Sequence, residues 1–385
     1  MWRALFLVVV LAGCERRPPL AEPMPASPAE PAEGVRPVTE SEEKTPPWDD
    51  EDIPSDPFAP EAAQITPKLP FSEDVKERIR QHIRRRDELG DQLWEYSATF
   101  DDNFHIGTMF NEHGVPEGYC YAAGILLGLE DAVKHLGVED EVDLKTKTME
   151  NAHDLRVIGT KHYNYARTAE HALAQDPNQL ILTWNLDCPG YHDISENTHV
   201  QQGKSSFYEI RNGGKVLMVL GNIERGFAKK LIDALEANPS VETVSLGSGG
   251  GYVSEAIEAG IYIRAKGYGT VLWSNCYSAC PLVFMGGRQR DILSPYPHLG
   301  FHQVYTPDDT PAEFDDHVYV TIYRYLVRMR IDPQYVLSKM WSAPPTEMAT
   351  VFGYEPELCD ANIATWIQRG CSSRDYRFPP DERRN

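Results

Sequence analysis

The sequence predicts an α/β protein in which a parallel-sheet domain is preceded by a mainly helical one. Three observations predict it. Beyond about residue 205, short apolar runs alternate with amphipathic stretches of helical length, the pattern of a parallel sheet with crossover helices. From 71 to about 200, apolar residues recur mostly at helical spacing. Fourteen of the 29 prolines fall between Glu15 and Pro70, which sets that stretch apart from both.

The chain opens MWRALFLVVVLAGC. Arg3 supplies a positive start, Ala4 to Val10 a short apolar core, and Leu11-Ala12-Gly13-Cys14 reads as a lipobox. The apolar run is too short to span a bilayer and fits an export signal over 1–13. The lipobox implies cleavage before Cys14 and acylation of its thiol, as in bacterial lipoproteins. The expected location is the cell envelope, lipid-anchored and facing the periplasm. Residues 14–70 would then be the lipidated cysteine and an acidic, proline-rich tether with too few apolar groups to offset its ordering entropy.

In the expected helical domain, 71–200, Ser72 is a candidate N-cap for an amphipathic helix running to Leu89, with Val75, Ile79 and Ile83 on one face. The arginines Arg78, Arg80 and Arg84 to Arg86 are interleaved with acids and read as a solvated face. A helix is predicted over Tyr121 to Leu136, ended by Gly137, and another over His162 to Ala174. Gln179 to Leu186 (QLILTWNL) reads as a strand. His105, His113, His153, His162 and His171 are scattered here and read as surface or structural histidines.

From Ser205 the pattern changes. Strands over Phe207 to Ile210 and Lys215 to Leu220 flank Asn212-Gly213-Gly214, a hairpin signal. A helix over Gly226 to Asn238, a buried strand Val241 to Leu246, a helix Val253 to Lys266 and a strand Thr270 to Trp273 follow. Helices are expected over Pro311 to Met329 and Pro333 to Trp341. This domain is assigned 205–370, and 371–385 is a tail.

The formal charge of −21 excludes a nucleic-acid binder, which needs clustered Lys and Arg. The seven cysteines less Cys14 leave six, an even number that suits an oxidising compartment. Fifteen pairings exist for six cysteines. The local pairs Cys276–Cys280 and Cys359–Cys371 are favoured, which leaves Cys120 with Cys188. There is no Cys-x-x-Cys and no His-Glu-x-x-His, so no metal is expected. Gly247, Gly249 and Gly251 follow a strand, but position 252 is tyrosine where a dinucleotide fingerprint needs its third glycine. No Gly-Lys-Ser/Thr follows either, and no cofactor is expected.

The chemistry concentrates in 274–302. Ser278 sits where an apolar helix would begin, and His302 ends a short apolar strand. Ahead of both, VETVSL runs through Gly247 into Ser248-Gly249-Gly250-Gly251. A serine hydroxyl needs a base to take its proton, and the oxyanion it makes needs backbone N–H donors, which glycine brings close. His298 competes with His302 for the base. Cys276 and Cys280 compete with Ser278 for the nucleophile, although a free thiol in an exported protein is open to oxidation. Ser274 is a further serine nearby.

The stretch GNIERGFAKKLIDALEANPSVETVSLGSGGGYVSEAIEAGIYIRAKGYGTVLWSNCYSACPLVFMGGRQR…HLGFHQ resembles the proteolytic subunit of Clp protease and its crotonase-like relatives. Ser248, Gly250 and Gly251 match that family's glycine turn, Ser278 its nucleophile, Gly286 with Arg290 its hairpin, and His302-Gln303 its base and neighbour. The match spans roughly 205 to 365 and is nearest to a periplasmic branch in which cysteines flank the serine. The resemblance implies a Clp/crotonase-like spiral, an oxyanion hole from the N–H groups of Gly250 and Ala279, and a homo-oligomer. It also implies an acid after a helix beyond the histidine, near Thr350, which is not acidic. Glu347 is the nearest carboxylate and Asp360 a poorer candidate. A Ser–Lys dyad finds no lysine between Ser278 and Lys339. The expected function is a lipid-anchored, extracytoplasmic serine hydrolase of the peptidase kind, taking a peptide or protein substrate. An inactive Clp/crotonase-like scaffold or binding lipoprotein is the alternative, and acyl-thioester chemistry a third reading disfavoured by export.

Overall fold

The computed structural model describes residues 66–67, 69–99, 116–138, 152–201, 206–293, 297–305, 310–368 and 370–373. The expected signal segment 1–13, Cys14, the expected tether up to residue 65 and the expected tail from residue 374 lie outside them, as do His105 and His113.

Helix α1 (Glu73–Ser97) begins where the Ser72 hydroxyl accepts the Val75 N–H. Ile79, Ile83, Leu89 and Leu93 are its buried face. Its arginines divide. Arg78, Arg80 and Arg84 pair on the surface with Glu130, Glu73 and Glu77. Arg86 departs from the solvated face expected of it. It turns inward, donates to the carbonyls of Leu136 and Val138, and lies 4.2 Å from the Tyr165 ring centroid.

The single helix expected over 121–136 is broken. Helix α2 (Glu117–Leu127) stops at Gly128, whose φ of 82° ends the turn, and short α3 (Glu130–Val133) with a 3-10 turn continues to Gly137. Helix α4 (Ala152–Ala174) packs along α1 and α2.

QLILTWNL is not a strand but most of helix α5 (Pro177–Asp187). Asp176 accepts from the N–H groups of Asn178 and Gln179, and Pro177 occupies the first turn. Leu180, Ile181, Leu182 and Trp184 are all buried, so the run carries no period that separates helix from strand. The Asp-Pro pair was the overlooked signal. Leu182 packs on Met218 and Leu220 of the sheet, and helices and sheet form one compact unit.

Strands β1 (Ser206–Arg211) and β2 (Val216–Gly221) form the hairpin through Asn212-Gly213-Gly214. Helix α6 (Phe227–Ala237) leads to β3 (Thr243–Ser248), α7 (Val253–Lys266) to β4 (Gly269–Tyr277), and α8 (Cys280–Met285) to β5 (Arg290–Ile292). Then come β6 (Leu299–Phe301), α9 (His317–Arg328), α10 (Pro333–Trp341), β7 (Ala349–Val351), α11 (Glu357–Asp360) and β8 (Trp366–Ile367). The sheet runs β1-β2-β3-β4-β5-β8, and its centre is parallel.

It is mixed rather than all parallel. The β1–β2 hairpin and the β6–β7 pair are antiparallel at its margins, the first joined by a tight turn and the second by a return that carries α9 and α10. Helix α9 starts later than expected, at His317, because Asp316 caps it through the Val318 N–H.

The sheet core is built from Leu217, Val219, Val244, Leu246 and Leu272 with the inner faces of α6 to α10. Residues 286–290 form a helix-to-strand turn between α8 and β5 rather than the hairpin expected, and the wholly buried Arg290 ties it to the segment ahead of β8 by donating to the carbonyls of Gly287, Asn362 and Ile363. Its role is structural. Disulfides close Cys120 to Cys188 and Cys359 to Cys371.

Candidate active site

Strand β4 has two partners on one side. Its first half pairs with β5 and its second half with β6, Cys276 opposite Leu299 and Tyr277 opposite Gly300. The ladder continues past the strand ends: the Ser278 N–H donates to the Gly300 carbonyl at 3.0 Å. A parallel register of this kind fixes how far the residue after Tyr277 lies from the residue after Phe301. The outcome is a 2.7 Å hydrogen bond between Ser278 Oγ and His302 Nε2.

Ser278 occupies the turn between β4 and α8 with φ at 58°, a left-handed conformation that costs a β-carbon-bearing residue on the order of 1–3 kcal/mol. Two devices hold it there. The Cys276–Cys280 disulfide brackets it with Cα atoms 5.2 Å apart, and Pro281 opens helix α8. Strand, strained serine and helix N-terminus follow one another, the order that exposes a nucleophile in serine hydrolases. Ser278 is half-buried, whereas His302 is only 4% exposed, so the hydroxyl is the reachable member.

The tautomer follows from hydrogen-bond chemistry. His302 Nδ1 lies 2.7 Å from the Gln303 carbonyl oxygen, which can only accept. Nδ1 therefore carries the proton, and Nε2 is the lone pair facing the serine. Gln303 is itself anchored, its N–H to the Ala343 carbonyl and its side chain to the Trp341 carbonyl. Burial lowers the His302 pKa below its usual range, and the Gln303 bond opposes that only in part.

Glu347 is not brought to that nitrogen. The place an orienting acid would take on Nδ1 is held by the Gln303 carbonyl, and Glu347 is exposed, its N–H donating to the Pro344 carbonyl. A backbone carbonyl selects the same tautomer as a carboxylate but contributes no full charge to the imidazolium. Asp360 sits at the end of α11, exposed.

The glycine turn lies against the serine. A β-carbon on Gly250 would fall 2.4 Å from Ser278 Cβ and 2.8 Å from Oγ, and Gly250 has φ of 110°. Only glycine allows that approach. The turn is stapled to the end of β2 by Ile223, which donates to the Gly250 carbonyl and accepts from Tyr252, each at 2.8 Å. Gly250 N–H donates to Ser248 Oγ at 3.0 Å, so this expected oxyanion donor has an internal acceptor. Ala279 is buried immediately after the serine, just ahead of α8.

Of the competitors, the two cysteines are consumed in the disulfide. His298 is buried, with its pKa lowered to about 4 by that burial, and its Nδ1 accepts from Gly353. Ser274 donates to the carboxylate of Asp187 at 2.7–2.8 Å. Among the described residues no group of His, Cys, Asp and Glu converges as a metal site. Sequence reasoning passed over Asp187, Asn275 and the Ser248 contact. The one local signal was the polar pair Ser274-Asn275 interrupting an apolar strand.

No protein-family model matches the chain, and no curated protein does. Solved structures do. ClpP1 from Listeria monocytogenes is 15% identical over 42% of this chain and 94% of its own, with a TM-score of 0.33. A membrane-bound stomatin-specific protease is 9% identical over 40% of this chain and 78% of its own, TM-score 0.32. The ClpP protease catalytic domain from Plasmodium falciparum is 16% identical over 38% and 80%, TM-score 0.29.

Proposed function

We propose that this chain is a serine hydrolase of the peptidase kind, lipid-anchored through Cys14 and facing the periplasm. The observation that carries the chemistry is the 2.7 Å Ser278 Oγ–His302 Nε2 bond, with the imidazole held in the accepting tautomer by the Gln303 carbonyl. Nε2 takes the hydroxyl proton as Oγ attacks a carbonyl carbon. The C=O electron pair moves onto oxygen, and the N–H groups of Ala279 and Gly250 receive the oxyanion once the substrate oxygen replaces Ser248 Oγ as acceptor. The protonated imidazole then gives its proton to the leaving amine, and water completes the cycle through the same base. Burial disfavours the imidazolium, which leaves the His302 base neutral at neutral pH.

The location rests on the lipobox and on three disulfides, which persist where the compartment is oxidising. A fluorophosphonate probe tests the chemistry. Wild-type protein should label, and Ser278→Ala and His302→Ala should not. Folded wild-type protein that takes no label would sink the hydrolase reading. It would leave the inactive scaffold, which the internally satisfied Gly250 N–H favours.

A further inference from the structure

Strand β4 does not run evenly beside β3. Leu246 pairs with Leu272 and Ser248 pairs with Cys276, so β4 advances four residues while β3 advances two. The bulge falls on Trp273, Ser274 and Asn275, directly before the disulfide-bracketed serine. A bulge frees backbone groups from the ladder and re-aims the strand beyond it. Gly247 makes room for this one, since a β-carbon there would fall 2.4 Å from Ser274 Cβ.

The freed groups meet a carboxylate from the helical region. Asp187, the last residue of α5, is 1% exposed, and Ser274 and Asn275 are wholly buried. Asp187 accepts the Asn275 N–H at 3.1 Å and the Ser274 hydroxyl at 2.7–2.8 Å. Asn275 extends the link in both directions. Its side-chain amide donates to the Leu186 carbonyl, and its Oδ1 accepts the His298 N–H at 2.9 Å, at the entry to β6 and His302. One carboxylate thus fixes the two segments that deliver Ser278 and His302. The adjacent Cys188 is tied to Cys120, which pins the end of α5.

Helix stability does not explain an aspartate at this position. An anion at a helix C-terminus faces the negative end of the dipole, and burying it adds a desolvation cost. The gain lies in satisfying the bulge. We propose that Asp187 is a positioning residue of the active site, acting through Ser274 and Asn275 to set the Ser278–His302 distance. Residues 71–200 thereby contribute to the catalytic apparatus through the end of α5, beside a second contact at 2.9 Å between the Tyr191 and Tyr277 hydroxyls. The catalytic consequence rests on the serine-hydrolase reading; the geometric one does not.

The test compares Asp187→Ala, Asp187→Asn and Leu182→Ala. Leu182 packs α5 on Met218 and Leu220, in a cluster that Trp273 borders, and its apolar side chain makes no hydrogen bond to Ser274 or Asn275. Asp187→Ala should lower the fluorophosphonate labelling rate per folded molecule by about 100-fold, as expected for a displacement of about 1 Å at the reacting groups. Asp187→Asn should recover most of that rate, because its Oδ1 still accepts from Asn275 and its Nδ2 can donate to a reversed Ser274 hydroxyl. Leu182→Ala should lower Tm while leaving the rate per folded molecule near wild type. Equal rates for Asp187→Ala and wild type, or equal loss in Leu182→Ala, would reduce Asp187 to a structural latch. Should Asp187→Ala fail to fold, Ser274→Ala replaces it in the same comparison. A crystal structure of the variant decides the geometry even if wild type does not label: a Ser278 Oγ–His302 Nε2 distance still at 2.7 Å overturns the positioning role, and one beyond 3.5 Å supports it.

Discussion

Replacing Gly250 by alanine adds one methyl group at the most crowded point of the candidate site. The new carbon would lie 2.4 Å from Ser278 Cβ, 2.8 Å from Oγ and 2.9 Å from the Tyr277 carbonyl oxygen. Carbon–carbon contacts settle near 3.5–4.0 Å, so the two chains must part by roughly 1 Å or more. Ser278 cannot relax freely, because its neighbours are joined by the Cys276–Cys280 bridge and its N–H is bonded to Gly300. The φ of 110° adds backbone strain on the order of 1–3 kcal/mol. A displacement of that size at reacting groups costs about 100-fold in rate. Gly213→Ala separates the two effects, since Gly213 has φ of 63° and nothing within 4 Å of a new β-carbon. The assay is the second-order labelling rate with a fluorophosphonate, normalised to folded protein, beside thermal unfolding. Both variants should lose stability, and only Gly250→Ala should lose labelling. A Gly250→Ala protein that labels at the wild-type rate would refute the close approach on which the site is built.

Three further outcomes follow from the same geometry. The acid limb of labelling against pH should fall below the usual histidine range near 6.5, because burial disfavours the His302 cation; a midpoint at or above 6.5 would count against His302 as the base. His298 and His82, each lowered to about 4 largely by burial, are neutral in the fold and bind protons on unfolding. Their stabilisation is therefore present above pH 6.5 and lost as pH falls toward 4, which acid unfolding of His298→Asn should show as a flatter slope. Glu347→Gln should label like wild type beside a dead His302→Ala, since Nδ1 belongs to Gln303; a large loss would restore Glu347 to the site.

The disulfides should separate by loop length. Chain entropy assigns the bridge spanning 4 residues about 2 kcal/mol and the bridge spanning 68 about 4 kcal/mol. Replacing Cys120 and Cys188 with serine should therefore lower Tm more than replacing Cys276 and Cys280, whereas loss of the latter pair, which brackets Ser278, should slow labelling. Equal Tm losses for the two pairs, measured by calorimetry, would argue against this account.

What could be read from the sequence was whatever local pattern decides. The Asn212-Gly213-Gly214 hairpin, helices α7 and α10, the glycine turn and the Ser278-to-His302 spacing are each set by residues within a few tens of positions. The failures share one physical cause. QLILTWNL is buried on every face, so α5 presents no hydrophobic period, and only the contact with Met218 and Leu220 decides where it lies. Arg86 sits among surface arginines, yet the carbonyls of Leu136 and Val138, some fifty positions on, draw it inward. Asp187 meets Ser274 across 87 positions, and no spacing rule joins an aspartate ending a helix to a bulge in a strand. The family resemblance places an orienting acid near Thr350, but the Gln303 carbonyl takes His302 Nδ1. The buried carboxylate that the fold supplies stands behind the serine instead, holding the strand that carries it.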